Sequence, residues 1–241
     1  MPRGLANPAR MHYSYRICIG YGNSPVSGNS GTNGNGGERG HMADFIRTDP
    51  LEMLRIAAIL VPLFVMHEIA HAWTAYKLGD ATAKDDGRLT LNPLKHIDWL
   101  GLALIMLVGF GWAKPVMVNT ENMKNPRSGM ALVAAAGPAM NMLLAVLLIF
   151  AGVAVFDWRQ PILLEMAFFS IMLAVFNMLP VPPLDGSKVL AWMLPRGLYA
   201  KYLMYERFGF VLVIVLVFTG AIGFLLPLVE TVFWAIARFF M

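Results

Sequence analysis

The chain has 241 residues, 57% of them hydrophobic and 14% charged, with a formal net charge of +4 and a mean hydropathy of +0.58. These values exclude an ordinary soluble domain and indicate a protein that crosses a membrane several times. The positive balance is not a nucleic-acid signal, because Lys and Arg fall in the connections between apolar segments; Cys18, the only cysteine, excludes an intrachain disulfide and a thiolate-based metal site.

Residues 1–43 differ from everything that follows. From Gly20 to Gly40 the chain is dense in Gly, Asn and Ser, and a disordered tail is expected there. It lacks the apolar stretch of a secretory signal. Gly40-His41-Met42 reads either as a vector-derived scar or as a start preceded by wrongly included sequence. Residues 44–241 are expected to form one membrane-embedded domain.

The first apolar segment, 51–78, is long enough to span a bilayer and carries His67-Glu68-Ile69-Ala70-His71 in its second half. Imidazoles at i and i+4 project from one helix face and can fill two of the four positions of a zinc ion. Glu68 is then placed to take a proton from a water that the metal activates. The bland alternative, three ordinary core residues, is disfavoured. Ionisable side chains in an apolar membrane helix cost several kcal/mol unless paired or metallated.

A shorter run, 99–112, is interrupted by Gly101, Gly109 and Gly111 and is too short to span. Lys77, Lys84, Arg88 and Lys95 precede it; Lys114, Lys124 and Arg127 follow it; Lys188, Arg196, Lys201 and Arg207 fill a later connection. A re-entrant path places all of them on one cytoplasmic side, whereas a spanning path places the first group opposite the others. The re-entrant path is favoured and puts the motif toward the cytoplasmic end of its helix. Residues 89–91 and 116–118, on either side of the run, have strand character. One of them is expected to offer a free edge to an extended substrate.

Residues 129–156, 162–179 and 208–226 read as further spans, and 229–240 as a short final span or an interfacial helix. The expected fold is therefore an all-α polytopic membrane protein. It has a core of three transmembrane helices, a small β/re-entrant element and additional C-terminal spans.

Two histidines need a third protein ligand if a position is to stay open for water. Glu165 lies near the outer end of its span, Glu206 and Glu230 flank the last spans, and His96 sits in a polar connection where it reads as solvated or capping. Asp185 stands out, in Asn177-Met178-Leu179-Pro180-Val181-Pro182-Pro183-Leu184-Asp185-Gly186. Three prolines break the helix there and Gly186 permits a sharp bend. Membranes tolerate broken helices only where the backbone lines a cavity. The alternative is that Asp185 caps a helix beginning near Ser187.

Three blocks, taken in order, resemble the site-2 protease family of intramembrane zinc metalloproteases. The first is His67-Glu68-Ile69-Ala70-His71-Ala72-Trp73 with Leu78-Gly79-Asp80-Ala81-Thr82-Ala83 and Gly87-Arg88-Leu89-Thr90-Leu91-Asn92-Pro93. The second is Gly111-Trp112-Ala113-Lys114-Pro115-Val116 with Ala136-Gly137-Pro138-Ala139-Met140-Asn141, and the third is the proline-rich block carrying Asp185. The resemblance implies that His67, His71 and Asp185 bind one Zn2+ and that Glu68 is the catalytic base. It implies substrate handling or transition-state support for Asn177, and a supporting role for Asn141. It further implies cleavage of membrane-anchored protein substrates within the lipid bilayer; the expected setting is a multi-pass protein of the bacterial plasma membrane, with the active site on the cytoplasmic side that the basic connections indicate. The chain looks like a compact branch without a PDZ or nucleotide-sensing domain.

Two other readings compete. A membrane metal transporter or sensor would also carry intramembrane His and Asp, but the other spans offer no further ladder of such residues. A zincin-type membrane protease acting on soluble or lipidated chains would shift the third ligand from Asp185 to Glu206.

Overall fold

The computed structural model describes residues 50–99, 101, 114–195, 197–199, 202 and 206–241. The expected tail, 1–43, and nearly all of the run 99–112 lie outside the described residues. The described helices are α1 (Pro50–Lys77), the single turn α2 (Thr82–Asp85), α3 (Pro126–Phe150), α4 (Pro161–Asn177), α5 (Asp185–Met193), α6 (Glu206–Phe218) and α7 (Leu226–Phe240). Among the described residues three stretches are long and apolar enough to cross a membrane, Leu54–Lys77, Pro126–Val155 and Gly223–Phe240; Pro161–Asn177 is a shorter apolar helix. In lipid the backbone has no water to bond, so such sequences satisfy their N–H and C=O groups within the helix.

Helix α3 is the hub and packs against α1, α4 and α5. Its buried face includes Gly129, Ala131, Ala134, Gly137 and Ala145, small residues that let neighbouring backbones approach closely. Beyond Ala145 the packing residues become large. Ala145, Ile149 and Val153 meet Leu164, Ala167, Phe168 and Ile171 of α4 and Val229, Phe233 and Ala237 of α7. Their three- and four-residue spacings give each helix one apolar face. The apolar core thus occupies the C-terminal half of α3 and leaves its N-terminal half for polar chemistry. Near the core end, the Arg55 guanidinium binds the buried Glu165 carboxylate and ties α1 to α4.

At the other end, two connections are knitted together. The Asp80 carboxylate, fully buried, accepts from Thr82 N and Oγ, from Asn122 Nδ2 and from Asn119 N. Arg88 donates to the carbonyls of Lys95 and Pro115, and the Lys114 N–H donates to the carbonyl of His96. The segments before and after 99–112 therefore meet at one place.

Four expectations are corrected. No strand occurs among the described residues. Residues 89–91 bend around His96, whose Nε2 donates to Thr90 O at 2.9 Å, and 114–119 is extended without a ladder partner. His96 is buried, not solvated, at 1% exposure. The span expected over 208–226 is interrupted: α6 ends at Phe218, Thr219 Oγ bonds back to Val215 O, and Gly220 turns left-handed at φ 70°. The final stretch, read as a short span or an interfacial helix, belongs to Gly223–Phe240, which is long and apolar enough to cross.

Candidate metal centre

His67 and His71 lie one turn apart on α1, so their rings meet edge to face with centroids 4.6 Å apart. Their Nε2 atoms are 3.0 Å from each other. Asp185 Oδ2 stands 3.1 Å from Nε2 of His67 and 3.3 Å from Nε2 of His71. Among the described residues this is the group of His, Cys, Asp or Glu atoms that converges as a metal site would. A tetrahedral zinc with bonds of about 2.0–2.2 Å separates its ligand atoms by roughly 3.3–3.5 Å. The observed triangle is slightly tighter than that, so the three residues fit the ion.

Asp185 reaches the histidines because α4 stops at Asn177 and the proline-rich turn restarts the chain as α5 at Asp185. Gly186 makes this possible. Its Cα lies so close to the Met178 and Leu179 carbonyls that any side chain would collide with them. Leu184, not Asp185, occupies the N-cap position of α5, so the capping alternative does not describe the carboxylate's contacts.

The histidines are held from behind by α3. His71 Nδ1 donates to the Val133 carbonyl at 2.7 Å, which leaves its Nε2 lone pair facing Asp185. Pro138 has no N–H for the Ala134 carbonyl, which loosens α3 at this turn. The neighbouring Gly137 leaves room for both rings. Asn141, fully buried, approaches Nδ1 of His67 to 3.2 Å.

The three residues line a cavity of about 400 Å³ together with Glu68 and Asn177. Its other walls are largely apolar, including Phe64, Met130, Leu173, Phe176 and Val213. Glu68 Oε2 accepts from the Val116 N–H at 3.2 Å. Asn177 Nδ2 donates one hydrogen to Leu173 O in its own helix at 2.9 Å; the second is free of that bond.

The remaining candidates lie elsewhere. Glu165 is engaged by Arg55, His96 by Thr90, and Glu230 is exposed on α7; the Glu206 side chain is outside the described set. Two contributors carry no side-chain signal in a sequence, namely the Val133 carbonyl and the Val116 N–H. Gly137 had a signal, since Gly-Pro inside an apolar helix marks a loosened turn.

The chain is similar to known proteins over most of its length. The profile of peptidase family M50 matches residues 55–158 and 153–219. A Bacillus subtilis protein named "Putative zinc metalloprotease YwhC" is 42% identical over 197 residues, covering 77% of this chain and 87% of that protein. "Putative zinc metalloprotease Rip2" of Mycolicibacterium smegmatis is 31% identical over 194 residues, covering 75% and 74%. "Putative zinc metalloprotease MJ0611" of Methanocaldococcus jannaschii is 31% identical over 157 residues, covering 59% and 76%. No solved structure is matched.

Proposed function

The chain belongs to peptidase family M50 and is an integral-membrane zinc metalloprotease; from that premise we propose that it hydrolyses peptide bonds within or beside the transmembrane segments of membrane-anchored proteins. The observation that carries the proposal is the position of the His67–His71–Asp185 triangle. It sits inside a membrane-spanning helix bundle, at the wall of an apolar cavity that also holds Glu68.

His67, His71 and Asp185 would hold the zinc, which when bound would supply Lewis acidity that makes water more acidic and polarises a carbonyl. Glu68 takes the proton as the water attacks the peptide carbon, and returns it to the leaving amine. The Val116 N–H fixes the Glu68 carboxylate for that transfer. Asn177, at the cavity wall, donates its free N–H to the developing oxyanion, an effect worth about 3 kcal/mol where such donors have been removed in other enzymes.

A helical substrate hides its carbonyls and must unwind before attack. The extended segment 114–119, with Val116 and Val118 lining the cavity and Met117 exposed, offers it the backbone edge on the Met117 side, opposite the Val116 N–H that Glu68 takes. Met117→Pro removes an N–H from that edge, and cleavage is expected to fall while zinc stays bound.

The contact between the flanks of 99–112 supports the re-entrant path. The basic residues gathered at that end support a cytoplasmic active site. The bacterial relatives support a plasma-membrane location.

The test is a pair of variants assayed for zinc and for trimming of a membrane-anchored reporter. Glu68→Gln keeps zinc and loses cleavage; Asp185→Ala loses both. Normal cleavage by Glu68→Gln would end the catalytic-base assignment. A transporter instead would move metal into vesicles and leave the reporter intact.

A further inference from the structure

Asn141 is buried to 0% exposure in the middle of α3, and its backbone carbonyl is pinned to α4 by the Ser170 hydroxyl at 2.7 Å. Its side-chain amide faces Nδ1 of His67 at 3.2 Å with the nitrogen inward, and the amide oxygen, also buried, has no partner. With the nitrogen inward, Nδ1 is an acceptor and the ring proton must sit on Nε2, the atom that faces Asp185 and His71. That tautomer cannot bind a cation through Nε2. A half-turn of the amide exchanges its oxygen and nitrogen without moving the helix. The oxygen then accepts Nδ1–H, and the Nε2 lone pair is released toward the other two ligand atoms.

We infer that Asn141 is the positioning residue for His67, its side-chain oxygen accepting the Nδ1 proton so that Nε2 is presented to the metal as a lone pair. The inference rests on the metal-centre reading above. It completes a symmetry already half visible: His71 has its Nδ1 proton fixed by the Val133 carbonyl, and His67 has the Asn141 oxygen in the equivalent place. Both orienting groups come from α3, eight residues apart along one helix, so α3 sets the tautomers of both imidazoles of α1. Metal-bound histidines generally carry such a partner on the far ring nitrogen, and its loss lowers metal affinity by about 10–100-fold.

Zinc affinity of the purified full-length protein, measured by competition with a chromogenic chelator, tests this apart from proteolysis. Asn141→Leu fills the same space without an acceptor and is expected to weaken zinc binding by about 10–100-fold. Asn141→Ala carries the same expectation should the leucine variant fail to fold. Asn141→Asp presents only acceptors and is expected to bind zinc at least as tightly as the wild type. A packing role alone would leave the leucine variant with wild-type affinity, and a donor role would make the aspartate variant as weak as the leucine one; either result overturns the inference. His67→Ala is the control: should it bind zinc like the wild type, the metal-centre reading itself fails.

Discussion

A methyl group placed on Gly137 would stand 2.4 Å from Nε2 of His71 and 2.6 Å from Nε2 of His67. Imidazoles packed from both sides cannot retreat that far without losing the geometry of the triangle. Alanine is nevertheless the better helix former by roughly 1 kcal/mol, so Gly137→Ala should leave α3 intact. The expected outcome is a helix content equal to wild type by circular dichroism, with zinc affinity lower by at least about tenfold in a chelator competition. Wild-type affinity would mean that the rings do not need this space. At this scale the sequence is legible where chemistry depends on side-chain type and local spacing. The pair His67 and His71 could be read because four residues make one helical turn. Asp185 stood out from the other acids only through its proline-broken setting and the family resemblance, because 114 residues separate it from His71 and nothing local fixes that contact. The Val133 carbonyl and Val116 N–H could not be read at all, since every residue carries those groups.

Between the residue and the whole lie the connections, and Asp80 governs them. Burial alone pushes its carboxyl upward, but hydrogen bonds from Thr82, Asn122 and the Asn119 N–H outweigh burial and hold it below the ordinary carboxylate range. The folded value therefore lies below the unfolded value of about 3.9. The stability contributed is fully present above the unfolded value and is lost as pH falls through the folded one. Asp80→Asn places an amide among donors already aimed at a carboxylate, which should cost about 1–3 kcal/mol. Thermal midpoints are expected to be lower for the variant at pH 7, with the gap to wild type closing as the pH falls below about 4. A gap that persists unchanged under acid would show that the charge on Asp80 is not what holds the two loops. Elements were legible in proportion to their autonomy. α1, α3 and α4 follow from apolar length, because a membrane helix satisfies its own backbone. The strand character of 89–91 and 116–118 forms no ladder among the described residues. Here Glu68 takes the Val116 N–H and His96 takes the Thr90 carbonyl. The break after α6 was signalled by Gly220, a common helix terminator, which a criterion of apolar length passes over.

For the molecule as a whole the open variable is how the run 99–112 relates the two loops to the membrane. The loops are bonded through Lys114 and His96, through Arg88 and Pro115, and through Asp80 with Asn119 and Asn122. Bonds of that length cannot be made across a hydrocarbon layer of about 30 Å, so both loops must share one face. His71 lies six residues from the end of α1, about 9 Å at 1.5 Å per residue. That depth keeps the His67–His71–Asp185 group near the same end of α1 as the loops, at the wall of a largely apolar cavity. The turn carrying Arg159 joins the other ends of α3 and α4 and must face the opposite compartment. In a Cys18→Ser background, single cysteines at the exposed positions Asp86, Lys124 and Arg159 can be probed with a membrane-impermeant maleimide in intact cells and in inverted vesicles. Asp86→Cys and Lys124→Cys should label only in inverted vesicles, and Arg159→Cys only in intact cells. Labelling of the first two from opposite faces would break the loop contacts and separate the Val116 N–H from Glu68, leaving the proposed catalytic base without its orienting bond.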